Sequence, residues 1–350
     1  MPCHATTFSV MNSLAIILGT ILSAQPLAAK SFGSQPSVTK PIPVGSAQFI
    51  MMAPDPITVF TYKPAGYSNG PLLVVFHGVD RNAEEYRNHA ICMAEKFKAL
   101  VVAPRFDAAR FTSERYQRGG VLRDGKPQPQ EQWTYAIVLK LVAVMRARES
   151  RHDMPYYLIG HSAGGQFLAR MAAFMPGDAC RIVASNPSSY LFPTRDLPFG
   201  YGFANLPSGL NSDDVMRNYL ATPLTFYLGT GDTTPAAHFD DSPCAMKQGA
   251  SRVERGRACF AMARKLAAKR NWVFNWRKIE TRGVGHSAFR MFAAKEVEYA
   301  LFGTTPKWIT PHGSSQARGG LSHENPHRSA RIIVRHAKQL SRHPKTRSKG

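Results

Sequence analysis

A serine set among glycines is the feature of this 350-residue chain that could do chemistry. Gly160-His161-Ser162-Ala163-Gly164-Gly165 follows the apolar run Tyr156-Tyr157-Leu158-Ile159 and leads into Gln166-Phe167-Leu168-Ala169-Arg170-Met171, a stretch of good helix formers. Strand, sharp turn and helix around a G-x-S-x-G core form a nucleophile elbow. The turn cramps the backbone at Ser162, and the neighbours Gly160 and Gly164 leave room for it. The helix then aims its first amides at the place where the hydroxyl emerges. A serine hydroxyl is a weak nucleophile until a base takes its proton, so a base and a group to orient that base should follow.

Both follow at the ends of later strands. Pro223-Leu224-Thr225-Phe226-Tyr227-Leu228 reads as a strand and runs into Gly229-Thr230-Gly231-Asp232. Asp232 thus lies just past a carboxyl end, where open sheets keep their chemistry, and Asp240 and Asp241 are the competing carboxylates. Trp272-Val273-Phe274-Asn275-Trp276-Arg277-Lys278-Ile279 alternates as a last strand and exits into Gly283-Val284-Gly285-His286. His152, His161 and His238 are alternatives as base, but only His286 joins a strand end to a place after the acid. The expected roles are nucleophile for Ser162, base for His286 and orienting carboxylate for Asp232.

The upstream run Leu72-Leu73-Val74-Val75-Phe76 reads as a parallel strand covered on both faces, ending in His77-Gly78-Val79-Asp80-Arg81-Asn82. An H-G pair after such a strand supplies half of an oxyanion hole, so the N–H groups of Val79 and Ala163 are the expected donors. Gly78 lets the backbone approach closely, and His77 is expected to shape the loop, not to act as a base.

These residues need a frame. Ile57–Tyr62 reads as an outer strand, Asn82–Lys98 as a helix with Cys92 and Met93 on its apolar side, and Ala99–Pro104 as a buried strand. Arg105–Gln130 is polar and reads as a long surface loop, Trp133–Arg148 as a helix packed on the sheet, and Arg181–Ser185 as another strand. Asn186–Asn211 has no periodicity. Its Tyr190, Phe192, Tyr201 and Phe203 either line a substrate pocket or pin the segment to the body. Ser251–Arg270 reads as a basic helix with a solvated face. The elements give an α/β class with one domain: a mostly parallel central sheet with helices on both faces.

The order Ser162, Asp232, His286, with the elbow and the H-G pair, resembles the α/β-hydrolase fold from about Thr58 to Phe302. Within it, FHGVDRN and GHSAGG resemble bacterial secreted esterases of the polyhydroxybutyrate-depolymerase-like group, which often carry leucine or isoleucine where this chain has His161. The resemblance implies hydrolysis of a small or oligomeric carboxylic ester through an acyl-enzyme, with no metal and no organic cofactor. Cleavage of an amide by the same machinery is the alternative. A non-catalytic protein that docks on surfaces or nucleic acid is a third reading.

The ends carry the remaining signals. Residues 1–29 hold the apolar stretch Leu14–Leu22 and close on Leu27-Ala28-Ala29, which reads as a secretory signal for a secreted or periplasmic protein. No Lys or Arg precedes Lys30, so an uncleaved membrane anchor is the rival. Residues 30–50 read as a linker, 51–312 as the catalytic domain and 313–350 as a basic, disordered tail. Net charge is +21, and the tail carries nine Lys/Arg against the single acid Glu324. That tail is expected to make at most a weak contact with anionic surfaces, and no nucleic-acid motif accompanies it. Among the five cysteines, Cys244 and Cys259 are close enough to close a small loop, four free thiols being the alternative, and no spacing suits a metal.

Overall fold

The computed structural model describes residues 40–52, 55–235 and 238–304. The expected signal at 1–29 and the tail at 313–350 lie outside the described residues. Ten strands form among the described residues: β1 Gly45–Met51, β2 Ile57–Lys63, β3 Leu72–Phe76, β4 Leu100–Pro104, β5 Leu122–Arg123, β6 Lys126–Pro127, β7 Tyr156–His161, β8 Arg181–Ser185, β9 Leu224–Gly229 and β10 Arg277–Thr281. The helices are α1 Ala83–His89, α2 Ile91–Phe97, α3 Thr134–Arg148, α4 Ala163–Phe174, α5 Asp213–Ala221, α6 Pro243–Met246, α7 Arg252–Arg270, α8 Ala288–Ala293 and α9 Glu296–Leu301.

Eight strands make one sheet in the order β1-β2-β4-β3-β7-β8-β9-β10, antiparallel at the β1–β2 and β2–β4 joints and parallel from β4 to β10. Alternation along the inner strands divides the core in two. Leu72, Val74 and Phe76 of β3 face the layer of α3, α4, α5 and α7, while Leu73 and Val75 face the layer of α1, α2, α8 and α9. Both faces are therefore covered, which is why these strands read as continuous apolar runs.

Several expectations change. The linker does not reach residue 50: Gly45–Met51 pairs with β2 as the edge strand, and Ile42 is already buried. Its alternation of half-buried and exposed positions lacks the apolar run that would mark a strand. The helix expected over 82–98 breaks at Ala90 into α1 and α2, and Cys92 is exposed while Met93 is buried. The last strand begins at Arg277, later than Trp272, because Trp276 Nε1 is engaged by the Tyr219 carbonyl outside the sheet.

The 105–130 segment is more than a surface loop. Phe106, Phe111 and Tyr116 are fully buried in it. Phe167 of α4 meets Phe76, Phe106, Tyr116 and Tyr135 with ring centroids 5.2, 5.9, 5.4 and 5.0 Å away. This cluster joins the end of β3 to the helix behind Ser162, which places the two halves of the site against each other. Phe167→Ala should cost about 3–5 kcal/mol, since a buried ring is lost and a cavity left. Urea unfolding checks this: the midpoint should fall at unchanged m, and a loss below about 1 kcal/mol would show that the cluster does not hold this corner.

Candidate active site

Ser162 sits between β7 and α4 with φ 57° and ψ −118°, a left-handed conformation that a non-glycine residue adopts only under constraint. Its N–H donates to Ser185 O at 3.0 Å, and its carbonyl accepts from Gln166 N at 2.9 Å. The glycines are required by close approach. A Cβ at Gly160 would stand 2.5 Å from the Gly164 backbone, and one at Gly164 would stand 2.5 Å from Phe76 O. Substitution at either would push α4 off the sheet and move the hydroxyl.

The β3–α1 loop is held as firmly. His77 is fully buried; its Nε2 accepts from Phe106 N at 3.0 Å, so the proton is on Nδ1, which donates to Gly78 O at 2.9 Å. Burial drives its pKa down to about 3, so the ring is neutral. Because the peptide is trans, holding the Gly78 carbonyl on one side turns the Val79 N–H to the other. Tyr116 OH donates to His77 O at 2.8 Å and Arg81 Nη1 to Phe106 O at 3.3 Å, which closes the clamp. Neither the Val79 nor the Ala163 amide donates to a protein group among the described residues. A Cβ at Gly78 would meet Tyr86 OH at 2.7 Å, so the tyrosine would have to move to admit a larger residue.

Asp232 lies in the loop after β9, its side chain 2% exposed. Its Oδ2 accepts from His286 Nδ1 at 2.7 Å, and its Oδ1 is 3.3 Å from Arg252 Nη1. With Nδ1 donating to the carboxylate, Nε2 of His286 is left as the basic nitrogen. Asp240 instead engages Tyr201 OH and the Ser242 amide. Ser162, His286, Gly78, Val79, Tyr86, His161 and His238 line one cavity of about 200 Å³. No hydrogen bond joins Ser162 to His286, a contact that often tightens only when substrate is bound.

Other sequence expectations fare differently. Tyr190, Phe192 and Phe203 are buried in the core and pin the 186–211 segment; of the four candidate pocket aromatics, Tyr201 lines a cavity. Cys244 and Cys259 are not bridged: all four described cysteines are free, and buried Cys259 Sγ is turned toward Leu191 O at 3.5 Å. The basic helix is solvated on one side only, since Arg252 and Arg255 are buried. Arg252 and the neutral His161 were missed as site residues. The available signal was that Arg252, Arg255, Cys259, Ala263 and Ala267 share one stripe, so two charges lie on the buried face of α7.

The strand order and the elbow define an enzyme of the α/β-hydrolase type. No protein-family model matches the chain, and no curated protein matches it in sequence. Among solved structures, it is similar to poly(aspartic acid) hydrolase-1 from Sphingomonas sp. KT-1, at 31% identity and TM-score 0.67 over 72% of this chain and 96% of that one. It is also similar to LpqC, a poly(3-hydroxybutyrate) depolymerase from Bordetella parapertussis, at 32% identity and TM-score 0.69 over 75% and 92%. The chain belongs to the polyhydroxybutyrate-depolymerase-like group of the α/β-hydrolases.

His161 is 2% exposed, and its ring centroid is 4.5 Å from that of His286. Burial first, then the charge of His286, holds its pKa well below the usual histidine range. A histidine depressed in the folded state binds its proton only after unfolding. Stability is therefore complete above about pH 6.5 and falls as the pH drops below it, by about 1.4 kcal/mol per pH unit for each such group. His77 adds the same slope down to about pH 3. His161→Leu should remove one of these contributions, so urea midpoints between pH 6.5 and 5 should decline less steeply in the variant. Parallel profiles would show that His161 is not kept neutral.

Proposed function

We propose that this protein is a serine hydrolase that opens a carboxylic ester through an acyl-enzyme. The observation that carries the reading is the 2.7 Å contact of His286 Nδ1 with buried Asp232, on a cavity shared with the Ser162 elbow. His286 Nε2 takes the Ser162 proton as Oγ attacks the ester carbonyl. Asp232 holds the ring in that tautomer and offsets the imidazolium. The amides of Val79 and Ala163 receive the negative oxygen, each worth on the order of 3 kcal/mol in the transition state. The imidazolium then gives its proton to the leaving alcohol, and water, activated by the same base, releases the acid.

The names of the two neighbours favour this reading and keep a second one in view. LpqC is described as a depolymerase of a polyester, whereas the other neighbour is named for poly(aspartic acid). Cleavage of an amide uses the same steps with an amine as leaving group. The reading includes export through residues 1–29 and a basic tail outside the catalytic machinery.

Ser162→Ala should abolish labelling by a fluorophosphonate and lower hydrolysis of short p-nitrophenyl esters by at least about 10⁴-fold. Equal labelling of the two proteins would reject the assignment of the nucleophile. A panel of acyl esters and peptides separates ester from amide, with turnover of the esters expected. Removing residues 313–350 should leave kcat/KM on these esters unchanged; its collapse would mean that the tail belongs to the enzyme.

A further inference from the structure

A second cavity, of about 240 Å³, adjoins the catalytic one through His238, which lines both. Its floor is α4 itself. Gln166 and Arg170 follow Ser162 at four and eight residues, so all three lie on one side of the helix. The Arg170 side chain is buried but leans back toward the elbow: Nη1 donates to Gln166 O at 2.9 Å, and Nη2 donates to Gly200 O and, at 3.3 Å, to Ser189 Oγ. Its Nε is buried with no partner. Ser189 Oγ also accepts from Gln166 Nε2 at 2.7 Å, which leaves its own proton to donate. Half-buried Arg118 lines the same cavity.

The charges do not cancel within this cavity. Neither Arg118 nor Arg170 forms an ion pair among the described residues, although a buried guanidinium ordinarily has a carboxylate. The acid present is Asp240, whose oxygens are taken by Tyr201 OH at 3.0 Å and Ser242 N at 3.2 Å. Burial, with the nearby charge of Arg118, lowers the proton affinity of Arg170, which fits two cations facing each other.

We infer that this cavity is a carboxylate subsite and that the substrate is an anionic ester, with a free carboxylate roughly 6–10 Å from the scissile carbonyl. The distance follows from a rise of about 1.5 Å per residue from Ser162 along α4 and the backward lean of Arg170. A carboxylate there accepts from the Arg118 guanidinium and from the Ser189 hydroxyl, and the buried Arg170 guanidinium behind them adds its positive charge. This rests on the esterase reading and adds the class of its substrate.

The test compares kcat/KM for mono-p-nitrophenyl adipate, which bears the carboxylate on the acyl side, with that for p-nitrophenyl hexanoate. A second pair places the charge on the alcohol side: 6-(hexanoyloxy)hexanoate against its methyl ester. The wild type should prefer an anionic member of at least one pair by about tenfold or more, the size expected of one charge-assisted contact. That preference should lie in KM, weaken with added salt, and shrink at least fivefold in Arg118→Gln while Arg118→Lys keeps part of it. Among the described residues Arg118 donates no side-chain hydrogen bond and only rests on the Tyr201 ring, 5.9 Å from its centroid, so Arg118→Gln should fold; Arg170→Gln is the companion variant. Equal rates on charged and neutral esters overturn the subsite but leave the esterase reading standing. A preference that survives both glutamine variants overturns it as well. A wild type that opens none of the four esters overturns both.

Discussion

One buried negative charge organises the site. The Asp232 side chain is 2% exposed, and an ion removed from water to that degree needs fixed partners in place of its hydration. The partners come from two separate elements: His286 from the loop after β10, and Arg252 from the first turn of α7. Asp232 itself arrives from the loop after β9, so the carboxylate ties two strand-end loops to the start of α7. The charges also sum in an instructive way. With His286 neutral, Asp232 and Arg252 cancel. In the proposed mechanism, a proton taken by His286 and an oxyanion beside it would add one positive and one negative charge, which cancel again. On that reading the site would stay near neutral through the reaction, which suits groups that water does not reach.

The loop after β3 is held separately, by aromatic packing. Phe76 ends β3 and stacks on Phe167 of α4, and the next residue, His77, ties the Gly78 carbonyl to one side. Phe106, two residues beyond β4, gives His77 its second bond and lies in the same aromatic cluster. A polar-looking segment is thus held to the core by three rings, and the direction of one amide follows from them. The 186–211 segment works similarly, with Tyr190 buried against Phe226 and Gln248 satisfying the Tyr190 backbone from both sides.

Local order was readable where the chemistry imposes it. The elbow glycines, the strand-end Asp232 and His286, and the buried runs of β3, β4 and β9 each follow from a steric or burial rule that acts within a few residues. What the sequence hid were pairings across the fold. Arg252 looked like one charge among many on a basic helix, and only the convergence of α7 on the β9 loop makes it a partner of Asp232. The aromatics of 186–211 could have lined a pocket or anchored a loop, and composition alone does not choose between them; burial put three of them in the core. Cys244 and Cys259 were near in sequence, but Cys259 faces into the core beneath Leu191. Proximity along the chain says nothing of that direction.

His161 is kept neutral by burial beside His286. Its ring lies 4.5 Å from that of His286, with Tyr86 OH 3.4 Å from its Nδ1 and, among the described residues, no partner for its buried Nε2. An unsatisfied buried nitrogen costs stability. In the proposed mechanism a protonated ring would also place a second cation, beside Arg252, against the imidazolium proposed on His286. Exclusion of water from His161 denies it that proton. The neutral ring packs against the His286 imidazole, and in the proposed mechanism Asp232 would then face one imidazolium and no second charged histidine.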